Sequence, residues 1–146
     1  MSTLIHHWVS QCRDGSNPRL LCRVASGWAV MGDPQILPGY CLLLPDPVVG
    51  NLNDLDGTTR SRFLSDVAAL GDAVLAATGA LRINYAIFGN VEPALHAHVI
   101  PRYEDEPADL IKANPWGYDW NAAPRFEPDA DGDLLLAIRA RLERTP

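Results

Sequence analysis

The chain has 146 residues, 47% of them hydrophobic and 21% charged, which is typical of one globular domain long enough to bury a core. Its net charge of −6 argues against a general nucleic-acid binder, which needs a basic surface to displace counterions from phosphates. No apolar run approaches the roughly 20 residues that span a bilayer, and no signal peptide is recognisable, so we expect a cytoplasmic protein without a membrane segment.

The first half of the chain changes from helical to strand periodicity. Residues 4–12 repeat apolar side chains at helical spacing after a capping Ser2 or Thr3, which predicts a first helix. Short apolar runs separated by turn residues then predict three antiparallel strands, over residues 20–25, 28–31 and 40–44.

The second half continues the pattern of helix and strands. A long helix is predicted over residues 58–78. Residues 82–88 predict a fourth strand, and residues 95–100 a fifth that ends at Pro101, since proline cannot donate to a sheet ladder. A last helix begins near Asp131. The sequence therefore predicts an α+β domain in which a five-stranded antiparallel meander packs against the long helix.

The cysteines indicate no metal or disulfide framework. Cys12, Cys22 and Cys41 are odd in number, widely spaced and form no Cys-x-x-Cys pair. We expect them to be reduced, partly buried thiols, while a bond between two of them is compatible with the sequence.

The fifth predicted strand carries His96 and His98 two positions apart, which places both imidazoles on one face of the sheet. Leu95, Ala97 and Val99 then face the core. Such a pair can attack phosphorus and bind its charge, hold one metal ion, or transfer protons. A pair of histidines without chemistry produces the same pattern, so the flanking residues have to decide.

Three aromatic residues, Trp116, Tyr118 and Trp120, lie within five positions of one another in the last third of the chain. They can cover the sheet, line a pocket or form a dimer contact, and packing is the favoured interpretation. The helical histidines His6 and His7 are interpreted as surface or packing residues, because adjacent positions of a helix do not face each other.

Residues 95–102 resemble the signature of the histidine-triad (HIT) superfamily, in which three histidines alternate with apolar residues, often before Pro-Arg. The upstream Gly-Asn-x-x-Pro motif, an Ile-Leu-Pro-Gly sequence before a strand and the order of elements are also similar. The resemblance implies a single HIT-like domain over residues 1–146, with a core over 19–102 and a C-terminal extension over 103–146. It also implies a homodimer that binds a nucleotide substrate.

The resemblance assigns roles to individual residues. His96 would attack the α-phosphorus and form a nucleotidyl-histidine, and His98 would hydrogen-bond phosphate oxygens. Asn90 and, with a small offset, Asn84 occupy positions near the phosphates, and Arg102 is counted with them as substrate-binding. The substrate would be a nucleoside phosphoramidate, an adenylylated group or a dinucleoside polyphosphate, which is hydrolysed or whose nucleotide is transferred. Covalent catalysis of this kind requires neither a cofactor nor a metal.

Three positions depart from the family pattern. Ala94 replaces the first histidine, and Tyr40 replaces a histidine that usually follows Pro-Gly. In zinc-binding branches these histidines join a cysteine pair, so we predict no structural zinc there. His96 then needs another acceptor for its Nδ1–H, and the backbone carbonyl of Ala94 can serve. Gly32 stands where the family often has an acidic or amide residue for the ribose, and Asp33 is expected to substitute.

Two alternatives stay open beside catalysis, which is the favoured interpretation. Ala94 and Tyr40 favour a catalytically impaired nucleotide-binding protein of the same superfamily, whereas the intact His96-x-His98 pair opposes it. A metal-binding protein would use the two histidines and Glu104 as ligands. The long helix fits poorly in the small barrel that such a site suggests.

Overall fold

The computed structural model describes residues 2–144, within which the chain forms one sheet, three α-helices and two single turns of 3₁₀ helix. No helix in this part of the chain is long and apolar enough to cross a membrane. The strands are β1 Leu20–Val24, β2 Gly27–Met31, β3 Cys41–Pro45, β4 Arg82–Ala86 and β5 Ala97–Arg102. The helices are α1 Leu4–Asp14, α2 Gly57–Thr78 and α3 Pro128–Glu143, and the 3₁₀ turns are Leu52–Asp54 and Pro115–Gly117.

Side-chain caps define where the first two helices begin. The Thr3 hydroxyl accepts from the His6 backbone N–H at 3.3 Å, and the His6 ring accepts from the Thr3 backbone N–H at 3.1 Å. This reciprocal pair is a capping box in which a histidine takes the place of the usual Glu or Gln. Asp56 caps α2 by accepting from the Thr59 N–H at 2.8 Å, and Gly79 ends it in the left-handed conformation. Both predicted helices are confirmed, although α1 extends two residues further than the apolar pattern indicated and α2 begins one residue earlier.

The sheet has the strand order β1-β2-β3-β5-β4, and all neighbours are antiparallel. This confirms an α+β fold with five antiparallel strands and a long helix. The meander holds for the first three strands, after which α2 carries the chain to the far edge. There β4 forms, and β5 returns between β3 and β4, so that His98 pairs with Leu42 on one side and Ala86 on the other.

The expected end of the fifth strand at Pro101 is wrong, because β5 continues to Arg102. Pro101 pairs with Ile83, and the Arg102 carbonyl accepts from the Leu81 N–H at 2.9 Å. Backbone groups of successive strand residues point to opposite sides, so the Pro101 nitrogen points away from β4. On that side the β3 pairing ends at Val99, and no ladder hydrogen bond is lost.

Both faces of the sheet are covered. Helices α2 and α3 pack on one face, and Leu95, Ala97 and Val99 point into this core as predicted. The face that carries the histidines packs against α1, through Ile5 and Val9, and against aromatic residues of the C-terminal extension. The histidines therefore lie between the sheet and the segments that cover this face, and not on an open sheet.

The three cysteines are free thiols, which confirms the expectation from their spacing. Cys12 and Cys41 are buried and Cys22 is half-buried. Burial raises the pKa of the Cys12 and Cys22 thiols to about 11 and also raises the pKa of Cys41. All three are thus protonated at neutral pH and are weak nucleophiles.

A buried ion pair fixes the C-terminal extension to the end of β5. The Arg102 guanidinium lies 3.0 Å from a Glu106 carboxylate oxygen, and both side chains are almost fully buried. Nη1 and Nη2 of Arg102 donate also to three oxygen atoms, the Asn84 side-chain oxygen and the carbonyls of Leu110 and Ala113. Glu106 in turn accepts from the Tyr118 hydroxyl at 2.6 Å.

Candidate functional site

A pocket of about 440 Å³ opens on the histidine face of the sheet. Its walls come from α1, from Tyr40 and Leu42, from the loop 88–92 before β5, and from the C-terminal extension. His96 and His98 lie in its lining. The volume falls within the range of small-molecule sites, and the fold brings residues from α1 to the C-terminal extension together to form it.

His96 is held by its own backbone immediately before β5. Its Nδ1 atom lies 2.7 Å from the carbonyl oxygen of Ala94. A carbonyl only accepts hydrogen bonds, so Nδ1 carries the proton and Nε2 keeps its lone pair. The carbonyl of Ala94 thus serves His96 in the way that the sequence analysis expected. Nε2 is the nitrogen left for a molecule in the pocket.

His98 is half-buried deeper in the same pocket, and its ring centroid lies 5.0 Å from that of His96. Its Nδ1 atom is 2.7 Å from the Tyr40 hydroxyl. Burial lowers the pKa of His98 to about 4, and the neighbouring His96 contributes to the same shift. His98 is therefore a neutral imidazole at pH 7.

The buried neutral state of His98 predicts a loss of stability in mild acid. An unfolded histidine takes up a proton near pH 6.5, whereas folded His98 does so only near pH 4. Between these values the unfolded state binds more protons, so stability falls as the pH falls through this window and this contribution levels off below it. The full difference corresponds to about 3 kcal/mol.

Urea unfolding at pH 7.0 and pH 4.5 measures this effect. We expect the wild type to lose more of its free energy of unfolding between the two values than His98→Asn, which keeps an acceptor for the Tyr40 hydroxyl. Equal losses in the two proteins would contradict a depressed pKa at His98.

Aromatic side chains form the wall next to His98. The Trp116 ring makes edge-to-face contacts with the rings of His98 and Phe88, with distances of 5.2 Å and 4.8 Å between ring centroids. Trp116 stacks on Trp120 at 5.2 Å, and Trp120 contacts Tyr40 at 5.5 Å. The favoured interpretation of the aromatic segment as packing was incomplete, since Trp116 and Trp120 also line the pocket.

The remaining predicted site residues divide into two groups. Asn90 and Asp33 line the pocket. Both Asp33 oxygens are already engaged, one by the Phe126 N–H at 2.9 Å and one by Arg125 at 3.0 Å. The ribose role expected of Asp33 would therefore have to compete with these two partners.

Arg102 and Asn84 do not reach the pocket lining. They lie on the same face of the sheet, but they hydrogen-bond each other at 2.7 Å. The other N–H groups of Arg102 are saturated by Glu106 and backbone carbonyls, as described above. The structure thus gives Arg102 a place in the anchor of the extension, so we do not assign substrate binding to either residue.

Several lining residues were not recognised from the sequence. Trp8 and Phe88 were assigned to a helix stripe and to a strand, and both contribute to the pocket. Glu92 was noted only within its motif, yet its carboxylate accepts from the Leu4 N–H at 3.2 Å and ties the loop before β5 to α1. The four-residue spacing of Trp116 and Trp120 was the one signal that could have indicated an aromatic wall.

Apart from a tyrosine, the ionisable side chains of the lining are acidic or histidine. Among the described residues, the lining contains two carboxylates, Asp33 and Glu92, and no lysine or arginine. Within residues 2–144, no three His, Cys, Asp or Glu side chains are grouped so that they could hold a metal ion. The geometry therefore does not favour the alternative in which His96, His98 and Glu104 are metal ligands.

An α+β domain with two histidines at the start of an internal strand, both lining one pocket, defines a recognisable class of fold. The sequence model of the HIT domain matches residues 28–105, just over half of the chain, and the protein belongs to the HIT family. A search of curated proteins finds no match.

Solved structures of other HIT proteins share the fold. A histidine triad protein from Marinobacter aquaeolei VT8 has a TM-score of 0.74 at 21% identity, with 87% of this chain and 90% of that chain covered. A hypothetical histidine triad nucleotide-binding protein from Sulfolobus tokodaii gives 0.74 at 17% identity, with 94% and 91% covered. A Hit-like protein involved in cell-cycle regulation from Bartonella henselae gives 0.72 at 20% identity, with 96% of each chain covered. These identities establish a shared fold.

Proposed function

We propose that this protein is a nucleotide hydrolase or nucleotidyl transferase that acts through a covalent nucleotidyl-histidine on His96. Membership of the HIT family supports nucleotide binding and hydrolase-type chemistry. The neighbour from Sulfolobus tokodaii is described as a nucleotide-binding protein, which agrees with the proposed class of ligand. The observation that carries the proposal is the 2.7 Å contact between His96 Nδ1 and the Ala94 carbonyl.

In the neutral ring, that contact leaves the lone pair of His96 Nε2 free to act as the nucleophile. Its lone pair forms a bond to the α-phosphorus while the P–O or P–N bond to the leaving group breaks. The leaving group keeps the electron pair and takes a proton from solvent. Water or an acceptor hydroxyl then attacks the phosphorus and releases its proton to solvent. The P–N bond to His96 breaks, and the imidazole keeps the electron pair and regains its starting state. The missing histidine at Ala94 is not required for either step.

His98 and Asn90 are proposed to bind the phosphoryl oxygens. Both residues line the pocket. The Asn90 amide makes no hydrogen bond to other groups of residues 2–144, so its donors are free for a ligand. Hydrogen bonds to these oxygens strengthen as charge spreads over them in the transition state.

The charge of the lining favours some substrates of the family over others. A dinucleoside polyphosphate brings several negative charges into a pocket whose lining holds two carboxylates, of which only Asp33 is paired with an arginine, and no cationic side chain of its own. A nucleoside monophosphate joined to an uncharged or amine leaving group brings only one. We propose that nucleoside phosphoramidates and related monophosphate conjugates are better substrates than dinucleoside polyphosphates.

Intact-mass spectrometry after a short acid-free quench tests the proposal. The wild type is mixed with an adenosine 5′-phosphoramidate or, separately, with diadenosine tetraphosphate. An added mass of one adenylyl group in the wild type, absent in His96→Ala, is the expected result, with more adduct from the phosphoramidate. Release of AMP without any adduct would contradict the proposed covalent intermediate on His96.

The same experiment addresses the alternative of an impaired nucleotide-binding protein. If several nucleotides give neither adduct nor product while AMP still binds, catalysis is lost and binding is retained. The substitutions at Ala94 and Tyr40 would then account for the missing activity.

We further propose that the protein is a homodimer that pairs across the β4 edge. Within residues 2–144, β4 has no strand neighbour on its outer side. Leu64, Tyr85 and Ile87 are 43%, 49% and 37% exposed along an apolar groove between this edge and α2. An uncovered apolar sheet edge is a surface that a second copy can bury.

Light scattering after size-exclusion chromatography tests the proposed dimer. We expect twice the chain mass for the wild type and the chain mass for the double variant Leu64→Arg, Tyr85→Arg. The variant Leu136→Arg is the control, since it changes an exposed leucine on α3. A monomeric wild type at micromolar concentration would refute this assembly.

A further inference from the structure

We propose that Tyr40 is a positioning residue, which fixes His98 in the tautomer that presents a neutral Nε2–H donor to the pocket. The tautomer itself follows from the structure without any substrate. Its consequence for phosphoryl binding rests on the proposed function.

The direction of the hydrogen bond follows from what the phenol can reach. The Tyr40 side chain is buried, and its hydroxyl contacts no polar partner in residues 2–144 other than His98 Nδ1, at 2.7 Å. If Nδ1–H donated, the phenolic proton would be buried without an acceptor, which is costly. Burial also raises the pKa of Tyr40, so the phenol keeps its proton. The hydroxyl therefore donates and Nδ1 accepts.

The two histidines are then held in opposite tautomers. His96 has its proton on Nδ1, bound to the Ala94 carbonyl, and a free lone pair on Nε2. His98 has its lone pair on Nδ1, bound to Tyr40, and its proton on Nε2. One imidazole is prepared to attack and its neighbour to donate. This division of roles matters in a pocket whose lining contains no lysine or arginine.

The position of the phenol depends on Gly32. A Cβ atom at residue 32 would lie 2.2 Å from Cδ2 and Cε2 of the Tyr40 ring, so any side chain there would displace the ring. The backbones of the two residues are joined by the Gly32 N–H, which donates to the Tyr40 carbonyl at 2.8 Å. Gln35 reinforces this link, since its amide donates to both carbonyls. Gly32 and Tyr40, two of the three departures from the family pattern, thus form one structural unit.

Nitrogen-15 NMR of the imidazole rings, recorded without ligand at pH 7, tests the tautomers directly. For His98 we expect a protonated Nε2 and an unprotonated, hydrogen-bonded Nδ1. For His96 we expect a protonated Nδ1 and an unprotonated Nε2 without a hydrogen bond. In Tyr40→Phe, we expect the Nδ1 signal of His98 to move to that of a nitrogen without a hydrogen bond. A protonated Nδ1 on His98 in the wild type would overturn the proposal, whatever the activity.

Kinetics test whether this tautomer matters for the reaction. Tyr40→Phe removes one oxygen atom from the site, and Tyr85→Phe removes one from the β4 edge as the matched control. We expect kcat to fall about tenfold in Tyr40→Phe, the effect of losing roughly one oriented hydrogen bond, with a smaller change in KM. Gly32→Ala should act in the same direction.

The double variant Tyr40→Phe, Gly32→Ala separates this role from a general loss of packing. If Gly32 acts through the phenol, the double variant is no slower than the slower single variant, so the two effects do not add. Additive losses, or equal activities of Tyr40→Phe and Tyr85→Phe, would refute a positioning role. If the wild type turns over no nucleotide, the proposed function fails, and the ring spectra and AMP affinity of Tyr40→Phe still decide the proposal for Tyr40.

Discussion

His96→Ala is expected to lower kcat/KM by on the order of 10³-fold or more while it changes the affinity for AMP by no more than about threefold. Without the imidazole, water must attack the α-phosphorus directly, and the two-step route through a covalent intermediate is closed. The groups proposed to bind the phosphate, His98 and Asn90, remain in place. Steady-state kinetics with a nucleoside phosphoramidate and calorimetric titration with AMP measure the two quantities.

His7→Ala is the matched control for this comparison, because His7 is an exposed residue of α1 outside the pocket. It should behave as the wild type in both assays. A His96→Ala protein that kept at least a tenth of the wild-type turnover would show that another nucleophile, or water, attacks the phosphorus. A proportional loss of AMP affinity would place His96 in ground-state binding instead.

The second large effect is expected at the buried ion pair between Arg102 and Glu106. Arg102→Met should lower the free energy of unfolding by about 3–5 kcal/mol, because it leaves the Glu106 carboxylate buried without its cation. It also removes the donors that hold the carbonyls of residues 110–113. Urea unfolding measures the loss, and limited proteolysis should show earlier cleavage between residues 103 and 120.

Two further variants isolate the cause of this loss. Arg102→Met together with Glu106→Leu removes both charges and should recover part of the stability, since no unpaired carboxylate remains. Arg125→Met breaks the ion pair with Asp33, in which the Arg125 side chain is 77% exposed. It should lower the free energy of unfolding by less than about 1 kcal/mol. If Arg102→Met were as mild as Arg125→Met, the anchor described for the extension would be wrong.

The sequence predicted those parts of the fold that depend on neighbours along the chain. The caps at Thr3 and Asp56 and the glycine at residue 79 are local signals, and the helices they delimit were predicted correctly. The order of β4 and β5 departs from the predicted meander, because it depends on the edge of the sheet at which the chain arrives after α2. Pro101 was misjudged for the same reason, since its tolerance depends on the length of β3, which lies far away in sequence.

In the candidate site, too, features that depend on neighbours along the chain could be predicted better than those that depend on distant residues. The use of the Ala94 carbonyl by His96 could be predicted, because the two residues lie two positions apart. The sequence left the pocket walls formed by Trp116 and Trp120 as one of several possibilities, since the path of the extension depends on the anchor at Arg102. The internal partners of Arg102 could not be predicted either, because nothing in the sequence beside the histidine pair indicates that its guanidinium turns toward Glu106.

The unreactive thiols provide a natural reporter of conformational opening. Because burial keeps Cys12 and Cys41 protonated, a thiol-specific reagent can modify them only when the layer that covers them separates from the sheet. Cys41 lies in β3 beside the histidine strand, and Cys12 lies on α1, which forms one wall of the pocket. Labelling rates at these two positions, read by mass spectrometry, would distinguish a lift of α1 alone from unfolding of the whole sheet. No probe would have to be introduced into the protein.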